Sequence, residues 1–224
     1  MNIWFIIIAV MVLSFLVQSM LTSRFKKYSE IPTSNGMSGA EVAAKMLRDN
    51  GISDVQIVSI DGKLTDHYNP ETKTVNLSEA VYHGRNVAAA AVAAHECGHV
   101  VQHATGYAPL QLRSALVPTV SFASNIVQWV LLAGIVLINA FPMIFWAGVA
   151  LFALTTFFSI VTLPVEINAS QRAVVWLENA GIVTYETRPM AIDALKWAAY
   201  TYVIAAIGSL ATLLYYISIG NRRS

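Results

Sequence analysis

Four stretches of the chain carry almost no polar positions, and between them the pattern changes to short amphipathic segments. Ile3 to Leu21 is 19 residues without a charge, followed by Arg24, Lys26 and Lys27. About 20 apolar residues cross a bilayer, so this run reads as a span. A cleaved signal peptide would place positive charge before the run and small residues at its end. Here only Met1 and Asn2 precede it and it ends Val17-Gln18-Ser19-Met20, so it reads as a retained anchor. From Ser114 to Val165, 52 positions pass without a charged residue. One helix cannot use that length, but two can, divided at the turn signal Asn139-Ala140-Phe141-Pro142. The pattern predicts spans at 116–138 and 143–164, joined as a hairpin that carries Trp129 and Trp146. A fourth run, Trp197 to Ile219, ends at Arg222-Arg223, with Trp197, Tyr200 and Tyr202 suited to an interfacial belt.

Residues 22–115 read as folded polypeptide. Ser38-Gly39-Ala40-Glu41 has capping-box spacing. Val42, Met46 and Leu47 follow at helical spacing and Asn50-Gly51 supplies a stop, which predicts a helix over 39–49. Val55 to Ile60 alternates and is β-branched, a strand closed by the turn Asp61-Gly62. Leu64–Tyr68 and Lys73–Leu77 flank Asn69-Pro70-Glu71-Thr72 as a hairpin, with 73–77 expected as an edge strand. Ser78 is expected to cap a helical turn through Glu79, Ala80 and Val81.

Composition agrees with this division. Of the 224 residues, 56% are hydrophobic and 12% charged, against about a quarter charged in an ordinary soluble domain. Fourteen Lys+Arg against 13 Asp+Glu leave no basic surplus for nucleic acid. Four spans put segments 22–115 and 166–196 on one side, with nine and three Lys/Arg, against Arg222 and Arg223 on the other. The positive-inside rule then makes the large segment cytoplasmic. The lone Cys97 fits a reducing compartment.

The chemistry-bearing feature is His95-Glu96-Cys97-Gly98-His99, within a stretch from Asn86 to Ala104 that is rich in alanine and predicts helix. Histidines at i and i+4 share a face, so both imidazoles can reach one ion. The glutamate after the first can take a proton from a water that zinc has acidified, the H-E-x-x-H arrangement of a metallopeptidase. The bland alternative is two histidines on a packed helix. His103 continues the face, but three histidines at this spacing do not easily share one tetrahedral ion, so it reads as a supporting or surface residue. Cys97 faces elsewhere around the helix and reads as packing.

A catalytic zinc needs a third protein ligand and one open position. Downstream acids are Glu166, Glu178, Glu186 and Asp193. Glu166 directly follows the third span, where a carboxylate is costly unless paired or ligated. Pro164 is expected to open a new helix there. The alternative for Glu166 is a solvated carboxylate in a first helical turn, favoured by the dipole.

His67-Tyr68-Asn69-Pro70, Val75-Asn76-Leu77-Ser78, Ala91 to His99 and Leu163-Pro164-Val165-Glu166-Ile167-Asn168-Ala169-Ser170 together resemble the YugP-type family of bacterial membrane zinc metallopeptidases. More distantly, the chain is similar to HtpX-type and CAAX prenyl proteases. The resemblance covers nearly the whole chain and implies a gluzincin-type, zinc-dependent endopeptidase. In the distant relatives the third ligand is the Glu of an E-x-x-A-D pattern. Laid on this chain, that pattern falls on Glu166, Ala169 and Ser170, with serine where an acid would hold a ligand histidine. Asn168 is a candidate to share that task. Arg172 and His103, with Tyr82 and His83, are candidate oxyanion donors.

The sequence therefore reads as a mainly α membrane protein with about four transmembrane helices and a small α+β zincin-like part. Its expected segments are an anchor over 1–22, a metalloprotease part over 23–115, a hairpin over 116–165, a helix carrying the third ligand over 166–196, and a last span with tail over 197–224. The expected cofactor is Zn2+ on His95, His99 and Glu166, with Glu96 as general base. The expected partners are the lipid bilayer and a peptide or protein substrate, a membrane protein among them. Two other readings stand: an intramembrane protease with helix 86–104 in lipid, and a non-catalytic zinc-stabilised adaptor that needs a fourth ligand from His103 or Cys97. Spans 116–164 offer no acid to the first, and Glu96 has no use in the second.

Overall fold

The computed structural model describes residues 3–223; Met1, Asn2, Ser224 and the side chain of Arg223 lie outside the described residues. Helices dominate: α1 (Ile3–Tyr28), α2 (Gly39–Asp49), α3 (Glu79–Tyr82), α4 (Val87–Ala104), α5 (Ala108–Val136), α6 (Pro142–Asn179) and α7 (Arg188–Arg223). Three short strands complete the chain: β1 (Gln56–Ile60), β2 (His67–Asn69) and β3 (Thr74–Ser78). Helices α1, α5, α6 and α7 are each long and apolar enough to cross a membrane. This is a mainly α membrane protein with a small sheet.

The chain forms two compact units. One comprises Met1–Leu16, Gln111–Pro164 and Thr201–Ser224, the other Val17–Leu110 and Val165–Tyr200. In the first, Leu131, Ile138, Phe145 and Val149 form a buried cluster against Trp146, Phe152 and Tyr216. Pro142, at the start of α6, sits where its missing N–H is no loss. A Cβ placed on Gly134 would lie 2.5 Å from the Phe145 Cα, so the α5 and α6 backbones of the hairpin touch there.

In the second unit, α2 carries a complete capping box. Ser38 Oγ accepts from the Glu41 amide at 3.3 Å, and Glu41 Oε2 accepts from the Ser38 amide at 2.7 Å. Helix α4 starts from Asn86, whose side chain accepts from the Ala89 amide. Its alanines at 88–91, 93 and 94 are fully buried. A helix walled by methyl groups lets neighbours approach from every side. The core around it takes Val42 and Met46 from α2, Val75 and Leu77 from β3, and Ala173 and Leu177 from α6.

Three expectations are corrected. β3 is not an edge strand. The sheet order is β1-β3-β2, with β1 parallel and β2 antiparallel to β3, so both sides of the 73–77 segment are taken up by ladder bonds. Its burial explains the placement, since Val75 and Leu77 are fully covered and an edge would leave them wet. Ser78 precedes α3 but does not cap it with its side chain; its hydroxyl and amide both donate to Asp66. Pro164 opens no new helix, because α6 runs through it without interruption to Asn179. Packing elsewhere on the helix outweighs one missing amide, as it does for prolines inside other membrane helices.

Candidate metal centre

Helix α4 presents His95 and His99 one turn apart, their rings meeting edge to face at 4.8 Å. Glu166 comes from α6 in the same unit. Its Oε2 lies 3.4 Å from His95 Nε2 and 3.6 Å from His99 Nε2, and the carboxylate is buried. Donor atoms of all three residues fall within 4.8 Å of one another and could hold one metal ion. Around a tetrahedral ion with bonds near 2.0–2.2 Å, ligand atoms sit about 3.3 Å apart, so the donor set and spacing fit zinc.

The approach of α6 to α4 depends on the residue between the motif's Cys97 and His99. A Cβ on Gly98 would stand 2.6 Å from the Ala169 carbonyl oxygen, an overlap no side chain could relieve. Glycine at 98 and alanine at 169 let the two backbones meet, one helical turn along α6 from Glu166.

The outer nitrogens of both histidines are engaged. Ser170 Oγ lies 3.1 Å from His95 Nδ1. Gln102 Oε1 lies 3.0 Å from His99 Nδ1. Both Nε2 atoms are thereby directed at Glu166. Burial of His99 opposes its charged form, but its contact with Glu166 and the negative charges of Glu96 and Glu166 outweigh this and raise its pKa above the ordinary histidine value. A metal binds the neutral imidazole and so competes with protonation there. Glu96 follows His95 on α4 and is buried.

The other downstream acids are committed elsewhere or lie open. Asp193 accepts from Tyr28 Oη at 2.7 Å and pairs with Arg24. Glu178 pairs with Arg188 at 2.7 Å, and Glu186 is exposed. His103 does not join the cluster; its Nδ1 lies 3.0 Å from Tyr68 Oη. Asn168 and Arg172 bond to groups other than the two histidines. Arg172 Nε donates to Asn168 Oδ1 at 2.8 Å, and that oxygen also accepts from Gln102. Tyr82 and His83 meet edge to face. Cys97 is fully buried with its sulfur toward the Ala43 carbonyl, and burial pushes its thiol pKa far up. Gln102 was not singled out from the sequence. Its available signal was an amide three residues beyond His99, on a stretch of valines where a polar side chain needs a partner.

The sequence model of the family described as "Putative neutral zinc metallopeptidase" matches residues 3–221. A protein of Bacillus subtilis (strain 168) described as "Putative membrane protease YugP" is 41% identical over 217 residues, covering 96% of this chain and 95% of that one. No solved structure matches the chain. With one match running through every span and both motif helices, and a second relative aligned over almost its whole length, the chain belongs to this zinc metallopeptidase family.

Proposed function

We propose that the protein is a membrane-embedded zinc-dependent endopeptidase. The observation that carries this reading is the meeting of His95, His99 and Glu166 at ligand spacing, with a buried glutamate next to the first histidine. His95, His99 and Glu166 would hold a zinc ion, which would supply Lewis acidity toward water and the scissile carbonyl. Glu96 takes the proton of the attacking water on its carboxylate and passes it to the leaving amine. Ser170 and Gln102 keep the two imidazoles turned to the metal side.

An open ligand position supports catalysis over a closed structural site. The two residues that could supply a fourth ligand are turned away, Cys97 toward Ala43 and His103 toward Tyr68. An extended substrate would pair with an outer edge of the sheet, β1 or β2, since β3 is occupied on both sides. The excess of Lys and Arg in segments 22–115 and 166–196 supports a cytoplasmic active site. Substrates are peptides or proteins, membrane proteins included.

The test is cleavage of an unfolded protein such as casein by the purified chain, with and without chelator. Glu96→Gln should keep its zinc and lose activity by on the order of 10²–10⁴-fold. Undiminished cleavage by that variant would reject the mechanism.

A further inference from the structure

The side chain of Gln102 is fully buried, yet each of its polar groups has a partner. Its Nε2 donates to the Val165 carbonyl at 2.8 Å and to Asn168 Oδ1 at 3.1 Å. Both partners are acceptors here, because Asn168 Oδ1 also receives the Arg172 Nε–H. This settles which end of the amide is which. Nitrogen faces α6, and Oε1 faces His99 Nδ1. An amide oxygen only accepts, so His99 must carry its proton on Nδ1. With Nδ1 protonated, Nε2 is the nitrogen left to offer a lone pair on the Glu166 side when the imidazole is neutral.

The two α6 groups that Gln102 grips flank the third ligand, since Val165 precedes Glu166 and Asn168 follows it by two positions. Arg172, which fixes Asn168, is held in turn over the Tyr107 ring. One side chain on α4 thus sets the tautomer of one ligand and the placement of the segment that bears another. His95 obtains its support differently, from Ser170 on α6 directly.

The geometry points to Gln102 as the positioning residue of the metal centre, fixing the His99 tautomer and holding α6 on both sides of Glu166. It does not touch the reacting atoms and acts through His99 and Glu166. The inference rests on the zinc reading above. Outer partners of this kind change metal affinity by about 10–100-fold.

Two substitutions separate positioning from core filling. Gln102→Leu keeps the volume and removes every polar group. Gln102→Glu keeps an acceptor for His99 and loses both donors to α6. The measurements are zinc affinity by chelator competition and the visible absorption of the Co2+-substituted protein, on the full chain in detergent, with helicity by circular dichroism as a control. Zinc affinity should fall in the order wild type, Gln102→Glu, Gln102→Leu. The leucine variant should be about 10–100-fold weaker than wild type, with a changed Co2+ spectrum.

A residue that only filled the core would give the reverse order, because leucine suits a buried site and an unpaired carboxylate does not. Gln102→Met, which adapts to irregular space, repeats the comparison should the leucine variant lose helicity. Wild-type affinity in the apolar variant, or weaker binding in Gln102→Glu than in Gln102→Leu, overturns the assignment while leaving the zinc reading intact. A wild-type chain that binds neither zinc nor Co2+ overturns the zinc reading and this inference with it.

Discussion

In the unit made of Met1–Leu16, Gln111–Pro164 and Thr201–Ser224, large apolar residues point outward: Phe15, Phe122, Trp129, Val136 and Met143 are 65–82% exposed. In the unit made of Val17–Leu110 and Val165–Tyr200, Val42, Val75, Leu77, Val81 and Leu177 are fully buried. The same kinds of side chain serve two solvents. Hydrocarbon is as apolar as leucine, so a spanning helix gains little by hiding its side chains from lipid and associates by close backbone packing instead. The second unit buries its apolar groups, and that burial makes a room where charges and imidazoles interact strongly.

Both units use glycine for close helix approach, with different consequences. Gly134 brings α5 against Phe145 of α6, within the apolar cluster of Leu131, Phe145 and Val149. Gly98 brings α4 against Ala169 of α6, and the ligand set depends on it.

The largest expected effect comes from removing the buried acid itself. Glu166→Ala should reduce metal content, measured by elemental analysis of the purified protein, well below one zinc per chain. Full occupancy would show that the third ligand lies elsewhere. Next come the paired glycine substitutions. Gly98→Ala and Gly134→Ala each force a methyl group into a backbone contact and should each cost about 1–3 kcal/mol in stability. Thermal melts in detergent read that cost. Only Gly98→Ala should also weaken zinc binding; equal zinc affinity in the two variants would dissolve the contrast between the units. The smallest effect is expected from Ser170→Ala, which leaves His95 without its outer partner. Its zinc affinity should drop about tenfold, toward the lower end for such contacts, and no drop at all would make the hydroxyl incidental.

Several parts of this architecture were legible in the residues themselves. The four spans follow from length and apolarity, and α2 from a capping box whose two hydrogen bonds both form. The spacing of His95 and His99 is enough to put both on one helical face. What escaped was relational. β3 looked like an edge strand because a strand's own pattern does not say how many neighbours it has. Pro164 looked like a helix start because local propensity is blind to the packing that carries α6 through it. Gln102 looked like an ordinary polar residue because its three partners lie 3, 63 and 66 positions away along the chain.

By itself, then, the sequence determined everything that depends on periodicity, length and local hydrogen bonding: the spans, the capped helix, the histidine pair and the glutamate beside it. The tertiary structure brought Glu166, the acid the sequence pointed to, up to those histidines, and it alone decided how closely α6 lies on α4 and which nitrogen of His99 faces Glu166. Those are matters of distance between segments remote in sequence, and they turn on steric fit at Gly98 and on buried polar groups that must find partners.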